Sequence, residues 1–160
     1  LVMVVKTIRV AESSVELRYR LDWEEIPVGS LRLGDVTLDP RAFDRRSLFY
    51  RSHNGGVDAE TFRLDGTRVA HAESVSYLVS ASHAVGITEG MIEVGDAQRT
   101  LRVEVDKTAA ALIGMVTYQP VRDSYFCRLS FSAAEVDETR HAVVLESPLV
   151  CRFVLSARHN

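Results

Sequence analysis

At 160 residues, with 46% apolar and 26% charged residues, the chain has the length and composition of one folded domain with a real core. A net charge of -3 and only two lysines, Lys6 and Lys107, leave no basic run for a polyanion, so nucleic acid is not an expected partner. No apolar run approaches the roughly 20 residues of a membrane helix, so no membrane partner is expected, and two cysteines without a secretory signal make the expected location cytoplasmic.

The chain opens on Leu1-Val2-Met3-Val4-Val5, too short for a signal-peptide core and without a basic flank; either Met3 is the start or the chain was cut from a longer polypeptide. A strand is expected over 3–10. Next, Val15, Leu17, Tyr19 and Leu21 alternate with Glu16, Arg18, Arg20 and Asp22, a period of two that turns one face to a core and the other to water. Trp23, the lone tryptophan, is flanked by acids; it can stack on a pyranose ring or plug the core edge beside the Pro27 turn. Turn chemistry recurs at Pro27-Val28-Gly29, Leu33-Gly34-Asp35, Asp39-Pro40, Asn54-Gly55-Gly56, Asp65-Gly66 and Gly95-Asp96. Pro40 suits the start of a short helical turn over 41–46.

The segment 48–64, LFYRSHNGGVDAETFRL, is the richest in chemistry. It sets His53, Asn54, Asp58 and Glu60 around Gly55 and Gly56. Paired glycines let the backbone approach a ligand, and imidazole, amide and carboxylate are the groups that bind polyhydroxylated molecules. The same residues also suit a hairpin turn between Tyr50 and Phe62, which predicts positive φ at Gly55 or Gly56.

Further strands are expected over 75–82 and 88–94. The alternation returns where Leu101, Val103 and Val105 oppose Arg102, Glu104 and Asp106, then along Tyr125, Cys127, Leu129 and Phe131, and again along Leu149, Cys151, Phe153 and Leu155. Three alanines behind Asp106 or Thr108 as a cap admit a helix over 109–116, against which Gly114 counts. Residues 137–141, DETRH, read as a surface loop. Many short strands joined by tight turns make the fold class an all-β antiparallel sandwich with little helix. Cys127 and Cys151 lie on the apolar sides of their strands and are expected to be buried free thiols.

Nucleophile-elbow, phosphate-loop, dinucleotide and H-E-x-x-H motifs are missing, and no two of the five histidines have metal-ligand spacing on one element, so no cofactor and no metal are expected. Glu60, Glu89 and Glu135 can pair with His53, His71 or His83 for proton transfer, or stand as solvated strand ends. Arg63 and Arg128 can clamp a hydroxyl pair or carboxylate, or face solvent.

Taken in order, Leu48-Phe49-Tyr50-Arg51-Ser52-His53-Asn54-Gly55-Gly56 with Glu60-Thr61-Phe62, then Val85-Gly86-Ile87-Thr88-Glu89-Gly90, then 101–106, then Tyr125-Phe126-Cys127-Arg128-Leu129-Ser130, resemble the C-terminal β-sandwich of glycoside hydrolases of the family 57 and family 38 type, in the galactose-mutarotase-like group. The resemblance spans 19–155. It implies catalytic carboxylates on a separate barrel and a sandwich that packs against it, so no catalytic residue carries over to this chain.

The leading expectation is a noncatalytic carbohydrate-associated module accompanying a glycoside hydrolase, with His53, Asn54, Gly55, Gly56, Glu60 and Trp23 at the ligand. Its partners are carbohydrate or an attached catalytic domain. The alternatives are a small sugar epimerase or hydrolase with Glu60 or Glu89 as base and His53 or His83 as acid, and a structural domain that oligomerises through an exposed edge strand.

Overall fold

A computed structural model describes residues 1–24, 30–53, 56–64, 80–81, 84–134 and 147–160. They form twelve strands: β1 (Val2–Val10), β2 (Ser14–Trp23), β3 (Leu31–Thr37), β4 (Phe49–Ser52), β5 (Glu60–Arg63), β6 (Ser80–Ala81), β7 (Ala84–Ile87), β8 (Met91–Gly95), β9 (Arg99–Val105), β10 (Ile113–Val121), β11 (Ser124–Ala134) and β12 (Leu149–His159). A seven-stranded sheet has the order β1-β2-β12-β9-β8-β4-β5, and a five-stranded sheet the order β3-β11-β10-β7-β6. Every pairing is antiparallel. The chain is therefore an all-β antiparallel sandwich, and its helix among the described residues is a single 3₁₀ turn, Arg45–Ser47, capped by Asp44. None of those residues forms a helix long and apolar enough to cross a membrane.

The alternating strands behave as their period requires. Leu17, Tyr19 and Leu21 of β2 stand opposite Phe153, Cys151 and Leu149 of β12, and Val103 and Val105 of β9 stand opposite Leu155 and Phe153. All of these face the second sheet, where Leu129, Phe131 and Cys127 of β11 answer them from the core cluster. Phe153 meets Phe131 across the sandwich at 5.3 Å between ring centroids and Tyr19 edge-on at 5.9 Å. On the outer face, Glu93 of β8 is 3% exposed and lies 3.3 to 3.7 Å from Arg51, Arg102 and Arg158, an ion-pair cluster that spans β4, β8, β9 and β12.

Three expectations are corrected. Residues 109–116 are not helical: Asp106 accepts hydrogen bonds from Thr108 N and Oγ1, closing a turn, and the chain then enters β10. Gly114 decides this. It stands directly between Ile87 of β7 and Phe131 of β11, and a Cβ there would come within 2.8 Å of the Phe131 ring, so its neighbours fill the space a side chain would take. Leu33-Gly34-Asp35 is not a loop turn but part of β3. Gly34 has φ +66° at a register shift opposite β11, where a Cβ would press on Phe153 at 2.9 Å. The strand expected over 88–94 begins only at Met91, because Thr88, Glu89 and Gly90, the last at φ +68°, turn the chain from β7 into β8. The strand expected over 75–82 is described only at Ser80–Ala81, and the loop 137–141 lies outside the described residues. Pro40 sits in a turn closed by Ala42 N to Asp39 O, just ahead of the 3₁₀ turn.

One end of the sandwich is sealed by Asp96. Its carboxylate accepts from the backbone N–H groups of Gln98, Arg99 and Asp44 at 2.7 to 2.8 Å, and its carbonyl accepts from Asn160 Nδ2. Burial pushes this carboxyl up, but the three backbone donors outweigh it and hold it below the usual carboxylate range.

Cys127 and Cys151 are buried and unpaired. Burial pushes their thiols up to about 12 and about 11. A thiol reagent at neutral pH is therefore expected to titrate neither in the native protein and both in denaturant without reductant; rapid labelling of the native protein would contradict this packing.

Candidate functional site

Pairing order decides which of the sequence candidates meet. β4 ends at Ser52 and β8 begins at Met91, with Ser52 opposite Ile92, so the loop that leaves β4 and the turn that enters β8 emerge side by side. Thr88 locks them together: its N–H and its Oγ1 both donate to the His53 carbonyl, at 2.9 and 3.0 Å. Glu60 begins β5, opposite Ser52, on the other flank of the same loop. Lys107, just past β9, reaches Glu89 Oε2 at 2.7 Å. One corner of the seven-stranded sheet thus gathers an imidazole, two carboxylates and an ammonium group from four separate stretches of chain.

The side chains there differ in character. His53 is half-buried with its Nδ1 enclosed and without a hydrogen-bond partner, as is the Oγ of the buried Ser52 beneath it. Gly56, Asp58 and Glu60 are exposed. Gly56 has no left-handed backbone, and a Cβ on it would meet nothing closer than 3.8 Å, so the expected positive φ is not at this residue. Asn54 and Gly55 lie outside the described residues, as do His71, His83 and Glu135.

Trp23 is not part of this corner. It ends β2 at the same end of the sheet, partly exposed, its backbone N–H donating to Ser147 Oγ at 3.1 Å. Strands β12, β9 and β8 separate it from β4, and the registers set Ser52 level with Val15, eight residues short of Trp23, so Trp23 stands off both across and along the strands. Arg63 is exposed on β5, and Arg128 lies on the outer face of the other sheet with its guanidinium 5.1 Å from the Phe126 ring. Thr88 and Lys107, which organise the corner, carry no motif; only the β4–β8 and β8–β9 registers reveal them.

Electrostatics sets the protonation state of two groups at the corner. The hydrogen bond and charge of Lys107, with a smaller contribution from charge on His53, hold the Glu89 carboxyl below the usual carboxylate range, so it stays ionised at neutral pH and is no general acid. Burial, and then the nearby Glu60 charge, raise the Tyr50 hydroxyl far above its ordinary value, so Tyr50 stays neutral. Among the described residues no three His, Cys, Asp or Glu side chains stand close enough to hold a metal ion. A shallow cleft of about 220 Å³, lined by Phe43, Leu101, Ala157 and His159 among others, opens at the opposite end. No protein family, curated protein or solved structure matches the chain.

The sign of the Glu89 shift is testable. A carboxyl lowered in the folded state adds stability above its unfolded value and loses it as pH falls through the folded one. A carbon-detected NMR titration should place the Glu89 midpoint below the ordinary value of about 4.3, and Lys107→Ala should raise it. An unchanged midpoint in the variant would refute the pairing.

Proposed function

We propose that the chain is a noncatalytic, carbohydrate-associated module acting beside a glycoside hydrolase, and that the corner formed by His53, Gly56, Glu60 and Glu89 contacts the sugar. The single observation that carries this reading is the double hydrogen bond from Thr88 to the His53 carbonyl, which ties the β4–β5 loop to the β7–β8 connection as one polar rim. Carboxylates accept from vicinal hydroxyls, Lys107 donates to ring or hydroxyl oxygens, and the open space above Gly56 admits a ligand close to the backbone. The rim is exposed rather than enclosed, which suits a polysaccharide passing over it. Trp23, four strands away at the same end, adds a stacking surface only for a chain long enough to span both. The depressed Glu89 carboxyl weighs against Glu89 as the base of the epimerase or hydrolase reading, because a lowered carboxyl is a weaker base and an effective one titrates near the working pH.

Calorimetry against α- and β-glucans and mannans tests the proposal. The wild type should bind at least one, and His53→Ala and Glu60→Ala should each weaken binding about tenfold, the cost of one lost hydrogen bond, with little change in melting temperature. No binding by the wild type, or full binding by both variants, would refute the assignment.

A further inference from the structure

The opposite edge of the same sheet carries a second surface. β1 pairs with β2 along its whole length, Val2 opposite Trp23 through Val10 opposite Val15, and among the described residues nothing pairs with its other side. Every residue of it is exposed, and its six large apolar side chains, Val2, Met3, Val4, Val5, Ile8 and Val10, are 45% to 77% accessible. An apolar edge of nine residues without a bulge is an open template for another strand, and folded proteins normally guard such an edge with proline, a bulge or outward charge. Here the register with β2 is unbroken and there is no proline. The two cations are turned onto their own chain: Arg9 lies 3.7 Å from Glu16, and the Lys6 ammonium sits 5.3 Å from the centre of the Tyr19 ring. They leave no free charge to select an acidic partner.

The geometry points to a second copy of this chain as the occupant, paired antiparallel through β1 about a twofold axis perpendicular to the sheet. Such an axis keeps the core-side faces of both copies on one side, so residues opposite each other must share parity. Centring on Lys6 would set two ammonium groups directly opposite, which destabilises a pair of strands. Centring on Val5 avoids this. It sets Val2 against Ile8 of the second copy, Met3 against Thr7, Val4 against Lys6 and Arg9 against Leu1, and brings every residue from Leu1 to Arg9 into register. Val2, Val4 and Ile8 lie on the side of Leu17, Tyr19 and Leu21, so the seam extends the apolar face of each β2 into its neighbour. The two seven-stranded sheets then form one continuous sheet, and the pairing closes on itself. This goes beyond the carbohydrate reading and does not depend on it, since the sugar corner lies at the far edge.

Light scattering and cysteine trapping test the register. The wild type should show twice the chain mass at high protein concentration. Val5→Lys, which puts like charges across the axis at an exposed position, should weaken dimerisation at least about tenfold without loss of the strand circular-dichroism signal. Val5→Cys should form an intermolecular disulfide under mild oxidation, because directly opposite Cα atoms lie roughly 4.5 to 5.5 Å apart. Val10→Cys, which this register places ten residues along the seam from its own copy, should not. The native cysteines are buried and do not interfere. A wild-type monomer, a Val5→Lys dimer of unchanged strength, or trapping through Val10→Cys in preference to Val5→Cys would each overturn the inference.

Discussion

The contact between Phe153 and the second sheet sets the geometry from which everything else follows. Phe153 lies on β12, between β2 and β9, and its ring packs on Phe131 of β11 and edge-on to Tyr19. Directly over it the chain of β3 comes so close that a Cβ would strike the ring, and Gly34 allows this by lacking a side chain and by taking a left-handed φ. One large side chain on one sheet is thus matched to one absent side chain on the other. Buried aromatic surface of this kind is a major stabilising term in a sandwich of this size.

That contact also decides what stays uncovered. β3 is an edge of the five-stranded sheet and lies over β12. The seven-stranded sheet continues past it through β2 to β1, over which no described residue forms a second layer, and β1 is exposed on both faces. At the other side, β8, β4 and β5 carry the polar corner. The two proposed contacts therefore occupy opposite edges of one sheet and can be filled together. A twofold pairing at β1 would set the two sugar corners at the distant ends of a shared sheet, an arrangement suited to binding one polymer at two places.

How far the fold was legible in the sequence follows from the same physics. Strands β2, β9, β11 and β12 have one face in the core, so their apolar and polar residues alternate and their period can be read. Strand β10 could not be read this way. Its outward residues Ile113, Met115 and Val121 are apolar too, and its inward Gly114 looks like a helix breaker until Phe131 and Ile87 are seen on either side of it. Gly34 misled in the opposite sense, because a left-handed glycine inside a strand has the same local signature as a turn. In the candidate site, His53 and Glu60 were legible as neighbours because a short hairpin joins them. Glu89 was paired with His53 by its chemistry alone, and Thr88 and Lys107 were not seen, since all three arrive through the β4–β8 and β8–β9 pairings. Trp23 was grouped with them by chemistry alone, and strand order puts it elsewhere.

The fit of Phe153 between Gly34, Phe131 and Tyr19 holds the sandwich together. Urea denaturation of Phe153→Ala tests this fit. A single cooperative transition is expected, with stability lowered by about 3 to 5 kcal/mol, the usual cost of emptying a buried aromatic site. A loss below about 1 kcal/mol, the range of an ordinary surface change, or separate transitions for the two sheets, would contradict it.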